Sequence, residues 1–271
     1  MGELDTGTAD LTARVDDGVA VLTMSRPQRR NALSRDMVSA LGRMIAVAAT
    51  EPAVRCVVLT GADGAFCAGG DVKGFAAGAG LDGTFDERVR WQQRVHRAVA
   101  LALYELPKPT VAVLPGAAAG AGLSLALACD LRYAVDTAVL TTAFGKVALS
   151  GDFGGAWLLT RIVGPARARE LFYFSPRIDA AEALRLGLLT AIYPADELEK
   201  AAYGLARELA DGPAAAYGYM KDNFTRAATQ GLAEYLDIEA IHQIRCRDTG
   251  EHREAATAFV QKRPPQFNRP G

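Results

Sequence analysis

The chain has 271 residues, 50% of them hydrophobic, and its 30 basic and 31 acidic residues give a formal net charge of -1. That is enough apolar material for a large core, and the absence of a global basic field argues against nucleic acid as a partner. The four cysteines (Cys56, Cys67, Cys129, Cys246) form no CxxC pair and have no His-rich neighbourhood, so they are expected to be reduced packing residues rather than metal ligands. Residues 1–10 carry no cationic start and no long apolar run, and nothing downstream is long enough to span a bilayer. A cytoplasmic protein with no membrane partner is expected.

Taken in order, residues 11–15 and 19–24 alternate apolar and polar around Asp16-Asp17-Gly18, which predicts a hairpin. Ser34 is placed to cap a helix over 35–49, where Met37, Leu41, Met44, Ile45 and Ala48 recur at three and four residues, and Pro52 stops it. A β-branched run over 54–60 predicts a strand, and the glycine-rich segment 76–83 is expected to be mobile. A long helix over 85–106 should end at Pro107 and Pro109, followed by a strand over 110–114. Beyond it a buried helix is predicted over 123–129, a strand pair within 130–142 and a short helix over 154–163. Strand, turn and helix in repetition argue α/β with parallel crossovers. From Asp179 onward helical signals dominate, over 180–186, 196–210, 213–229 and 231–258.

Two side-chain-poor segments follow apolar strands directly: Ala65-Phe66-Cys67-Ala68-Gly69-Gly70-Asp71 and Gly116-Ala117-Ala118-Ala119-Gly120-Ala121-Gly122. Each alone reads equally as a tight turn. Together they can aim two backbone N–H groups at one oxygen, which is an oxyanion hole. Other glycine-rich chemistry fits less well, because Gly120-Ala121-Gly122 lacks the third glycine of a dinucleotide fingerprint and Gly145-Lys146-Val147 lacks the hydroxyl of a phosphate loop. No nicotinamide or ATP cofactor is expected.

These turns, with Thr23-Met24-Ser25-Arg26-Pro27, Asn31-Ala32-Leu33 and the tail Phe259-Val260-Gln261-Lys262-Arg263-Pro264-Pro265-Gln266-Phe267, resemble the crotonase superfamily, also called the enoyl-CoA hydratase/isomerase family. The resemblance implies an α/β fold with a ββα spiral core and acyl-CoA site over 1–195, then a helical oligomerisation region over 196–271. It implies an acyl-CoA thioester substrate, with coenzyme A as part of the substrate and no separate cofactor, and assembly as a homotrimer or a hexamer of two trimers. By position, Gly70 and Ala121 match the residues whose N–H groups hold the thioester carbonyl.

The acids depart from the hydratase pattern. The two positions that carry glutamates in hydratases are Ser124 and Phe144 here, and neither can act as a base near neutral pH. Asp152, in Gly151-Asp152-Phe153-Gly154-Gly155, matches by position the aspartate base of an isomerase branch and the nucleophile of an aryl-CoA dehalogenase branch; it also reads as a cap for the helix that follows. Asp71 and Asp130 read as turn or cap residues, and His96, His242 and His252 as surface or packed residues. The backbone of Ala68 is implied to bond the CoA moiety. Gln28, with Arg29 and Arg30 beside it, stands where a basic residue meets a CoA phosphate, and Lys262 matches a lysine that reaches the nucleotide of a neighbouring subunit. The expectation is an enoyl-CoA isomerase that moves a proton with Asp152. An enoyl-CoA hydratase with atypical acids and a non-catalytic acyl-CoA-binding member stand as alternatives.

Overall fold

The Asp-Gly signal forms the hairpin it predicts: β2 (Leu11–Asp16) pairs antiparallel with β3 (Val19–Met24), and Asp17 (φ 47°) with Gly18 (φ 83°) supplies the two left-handed residues of a turn that follows the strand twist. In this computed structural model residues 2–78, 80 and 82–267 are described; Ala79 and Leu81, in the segment expected to be mobile, lie outside them. β1 (Glu3–Leu4) adds to the hairpin's edge. β4 (Cys56–Gly61), β6 (Thr110–Leu114), β8 (Leu131–Val135) and β11 (Ala191–Tyr193) then extend it in parallel, giving a seven-stranded sheet ordered β1-β2-β3-β4-β6-β8-β11. β2 alternates buried and exposed, whereas β6 is buried at every residue, the difference between a strand with one wet face and a parallel strand covered on both.

A second, smaller sheet carries the turns. β5 (Ala65–Cys67), β7 (Ala117–Ala119) and β9 (Val139–Thr141) run parallel, and β10 (Ile178–Asp179) closes the edge antiparallel to β9. The chain steps from large sheet to small sheet three times, β4 to β5, β6 to β7 and β8 to β9, and each step leads into helix. This is the ββα repeat. Gly116 sits at one of these steps, where a Cβ would stand 2.0 Å from the Gly64 carbonyl oxygen, so only glycine fits. The two strands read within 130–142 are both present, but they lie in different sheets and do not pair with each other.

The helix predicted behind Ser34 forms with its cap in place. Ser34 Oγ accepts the Met37 N–H at the start of α1 (Arg35–Thr50). A short α2 (Val72–Ala76) is capped by Asp71. Thr84 and Glu87 make a capping box on α3 (Phe85–His96), which continues through a π-turn (Arg97–Leu101) into α4 (Ala102–Glu105) before Pro107. α5 (Ala121–Ala128) is buried throughout. The helix predicted to stop at 163 does break there, with Gly164 at φ 76° and Pro165 beginning a second run, so that α6 covers Gly155–Phe174.

After α7 (Ala180–Arg185), α8 (Ala195–Ala210) lies along β3, β4, β6, β8 and β11 with Leu198, Ala202, Ala206 and Ala210 buried. α9 (Ala214–Ala227) is tied to the core by Lys221, whose Nζ donates to the Leu103 carbonyl, Thr110 Oγ1 and Asp130 Oδ2 (2.9 Å each to Leu103 and Asp130). Asp130 is thereby structural. The single helix predicted over 231–258 is two, α10 (Leu232–Arg247) and α11 (Gly250–Val260), because Thr249 starts a new helix by accepting the His252 N–H. Leu232, Leu236, Ile241, Ile244, Phe259 and Val260 stay exposed on this chain.

Candidate active site

The pairing of β5 with β7, Ala65 opposite Ala117 and Cys67 opposite Ala118, makes the two glycine turns leave the small sheet side by side. Gly69 takes a φ of 87°, and a Cβ there would stand 2.7 Å from the Ala119 carbonyl oxygen and 3.3 Å from the Ala121 nitrogen. The backbones touch only because Gly69 has no side chain. Within the turns, the Gly69 carbonyl accepts the Leu33 N–H, and the Gly120 N–H donates to the Thr141 carbonyl. Ala121 is the first residue of α5, so its N–H has no partner inside the helix, and the helix dipole adds to its donor strength. Among the described residues the Gly70 N–H likewise donates to no protein acceptor. Both residues line one cleft of about 720 Å³. Two free donors on one wall can stabilise an oxygen as it gains negative charge.

Asp152 lines the same cleft from the loop between β9 and α6. That loop carries left-handed backbone at Ala143 (φ 59°), Ala148 (φ 54°) and Phe153 (φ 46°), a concentration of unfavourable conformations held by packing, including the Phe144 ring stacked on Phe172 with centroids 5.5 Å apart. Asp152 does not cap α6: Gly154 occupies the cap position, with no side-chain bond. Instead its Oδ1 accepts Gln92 Nε2 at 2.8 Å and the Phe153 N–H at 3.0 Å, and pairs with His96 Nε2. His96 is therefore a site residue, not the surface or packed histidine its sequence context predicted, and Gln92 joins it. The one sequence signal for them was the i, i+4 spacing of Gln92 and His96, which puts both on one face of α3.

Ser124 is buried, donates to the Gly120 carbonyl at 3.3 Å and is not part of the cleft wall; Phe144 is. The cleft holds two further carboxylates. Asp71 is engaged with the Gly74 N–H and with Arg26, which hold its carboxyl below the usual carboxylate range, and Asp82 stands exposed at the rim. The Cys67 thiol, next to the first turn, is pushed up to about 12 by burial, which removes it as a nucleophile at neutral pH. His242 is buried against Tyr219 and Asn223 on the far helices, and His252 lies on α11.

The binding residues separate by place. Ala68 is exposed on the cleft wall; its N–H is taken by the Arg30 carbonyl at 2.9 Å, leaving its own carbonyl to accept from a ligand. Gln28, Arg29 and Arg30 sit exposed on the turn around Pro27–Arg29, outside the cleft wall but alongside it through that Arg30 bond. Lys262 follows α11, exposed and apart from this chain's cleft. The apolar lining of the cleft includes Phe75, Trp91, Val147 and Leu149, with the Phe75 ring against Gly70.

The sequence model of the family described as Enoyl-CoA hydratase/isomerase matches residues 14–270. The chain is 37% identical over 254 residues to a probable enoyl-CoA hydratase of Rhodobacter capsulatus, covering 93% of this chain and 95% of that one. It is 34% identical over 257 residues to the 1,2-epoxyphenylacetyl-CoA isomerase of Escherichia coli, covering 95% and 97%. Among solved structures it resembles a putative enoyl-CoA hydratase from Streptomyces coelicolor A3(2), with a TM-score of 0.90 and 36% identity over 96% of this chain and 94% of that one. Two sheets wound as ββα units, two glycine turns facing one cleft, and likeness along almost the whole sequence agree: this chain belongs to the enoyl-CoA hydratase/isomerase family and is an acyl-CoA enzyme with the crotonase fold.

Proposed function

We propose that the chain is an enoyl-CoA isomerase in which Asp152 moves one proton between two carbons of an enolised thioester. The observation that carries this reading is the makeup of the cleft wall: Asp152 lies on it, while the two positions that would handle water hold a buried Ser124 and the ring of Phe144. In the proposed cycle the thioester carbonyl accepts the N–H groups of Gly70 and Ala121. Asp152 takes a proton from a carbon conjugated to that carbonyl, and the C–H electron pair flows into the enolate, whose charge the two donors stabilise. The carboxyl then returns the proton to the other end of the conjugated system as the double bond forms in its new place. Nothing is gained or lost, and one base suffices. Hydration would need a second group to position and activate water. The isomerase name of the Escherichia coli relative supports the same reading.

The experiment is a panel of α,β- and β,γ-unsaturated acyl-CoA thioesters in deuterated water. The expected result is double-bond migration or solvent exchange at the α- or γ-carbon faster than hydration of crotonyl-CoA. Efficient hydration with no isomerisation defeats the proposal in favour of a hydratase with atypical acids, and tight acyl-CoA binding with neither activity favours a binding protein.

Assembly belongs to the same proposal. Leu232, Leu236, Ile241, Ile244, Phe259 and Val260 of α10 and α11 are exposed apolar residues that a partner would cover, and closed symmetry makes a homotrimer, or two stacked trimers, the expected assembly of a cytoplasmic enzyme of this kind. Among the described residues no helix is long and apolar enough to cross a membrane. In that assembly Lys262 of one copy, with Arg29 or Arg30 of another, meets the CoA phosphates. Truncation after Ala255 leaves Glu251, which accepts the Ala214 and Ala215 N–H groups at 3.0 and 3.1 Å, but removes Phe259, Val260 and Lys262. The shortened chain should dissociate and bind CoA more weakly. A trimer with unchanged CoA affinity, by sedimentation and calorimetry, denies the tail this role.

A further inference from the structure

Asp152 presents its two oxygens unequally. Oδ1 takes all of the protein donors: Gln92 Nε2 at 2.8 Å, the Phe153 N–H at 3.0 Å and the contact with His96 Nε2. Among the described residues none reaches Oδ2. The anchors are themselves fixed. Gln92 and His96 stand one turn apart on α3, and the imidazole packs against the Phe153 ring with centroids 4.8 Å apart. The helix changes to a π-turn at the residue after His96, a local widening that often marks a functional position. Among the described residues the ring's hydrogen-bond and ring partners are one titratable group, Asp152, and two neutral ones, Gln92 and Phe153.

We infer that His96, beside Gln92, is a positioning residue for Asp152: it fixes Oδ1 so that Oδ2 alone meets the substrate proton. The inference rests on the proposed role of Asp152 as base. Its physical basis has two parts. A carboxylate in a loop turns about two side-chain bonds, and holding one oxygen at three points keeps the other at a constant reach from the carbons it must serve. An imidazole nitrogen and a carboxylate oxygen in contact also require one proton between them, since two lone pairs repel. That shared proton keeps Oδ1 occupied and leaves the moving proton to Oδ2.

Two variants and one spectrum test it. His96→Ala should lower kcat for isomerisation of a β,γ-unsaturated acyl-CoA about 100-fold with KM changed no more than about threefold, the loss expected when a reacting group is misplaced by about 1 Å. His96→Gln, which keeps an N–H donor at similar reach, should recover most of that loss. Because an altered ring site can also change folding, the side-chain nitrogens of His96 are followed in ¹H–¹⁵N spectra of the full chain: Asp152→Asn should move them and leave those of His242 and His252 in place. Unchanged kcat in His96→Ala, a His96→Gln variant no better than His96→Ala, or His96 nitrogens indifferent to Asp152→Asn overturns the inference. An Asp152→Asn enzyme that keeps full activity overturns instead the reading of Asp152 as base, so the two failures are distinct.

Discussion

Asp152→Asn is expected to reduce turnover by about 10⁴-fold, near the upper end of what a positioned acid–base group contributes, while acyl-CoA affinity stays within a few fold. The separation follows from the geometry. Asn keeps an oxygen that accepts from Gln92 and the Phe153 N–H, so the left-handed loop around Ala148 and Phe153 retains its anchors. Binding is expected from elsewhere in the cleft, from the Ala68 carbonyl and from the apolar lining of Phe75, Trp91, Val147 and Leu149. What the variant lacks is a group that can take a proton. Steady-state kinetics on the substrate found by the panel, with calorimetric titration of the corresponding saturated acyl-CoA, measures both halves. Undiminished turnover removes Asp152 from the mechanism, and a loss of binding as large as the loss of turnover assigns it to substrate anchoring.

Removing one oxyanion donor should cost about 10²–10³ in kcat, and Ala121 offers an unusual way to do it. It is the first residue of α5, the one helical position where proline fits, because the missing N–H has no helical partner there. Gly120 before it, at φ 52° and ψ -125°, lies outside the right-handed helical region that a following proline disfavours. Ala121→Pro therefore deletes the donor while leaving the helix start in place. The expected result is a thermal midpoint close to that of Ala121→Gly together with a kcat lower by the factor above. A proline variant as fast as the glycine control excludes the Ala121 N–H from charge stabilisation.

Local signals carried much of the fold. Asp17-Gly18 dictates a left-handed turn, Ser34 opens its helix, and the run over 110–114 forms the strand expected, because each choice is settled within a few residues. The glycine turns were legible for the same reason: bare backbone after an apolar strand has few other uses. The three-residue strands β5, β7 and β9 were not, since a segment that short shows no period, and for this reason the segment over 130–142 read as one strand pair rather than as strands of two sheets.

By itself the sequence determined the α/β class, the caps and turns, the two candidate donors Gly70 and Ala121, and the absence of glutamate from positions 124 and 144. The tertiary structure alone decided which groups converge. Gln92 and His96 meet Asp152 across roughly sixty residues of chain only because α3 lies over the loop that carries it, and which face of a helix meets a neighbour is set by packing, not by the helix's own residues. The same holds for Arg29, Arg30 and Lys262, whose charge is plain in the sequence but whose distance from the cleft is fixed by where the Pro27–Arg29 turn and the end of α11 come to rest. Local chemistry is written in neighbouring residues. A site is built from distant ones, and its geometry exists only once the chain has folded.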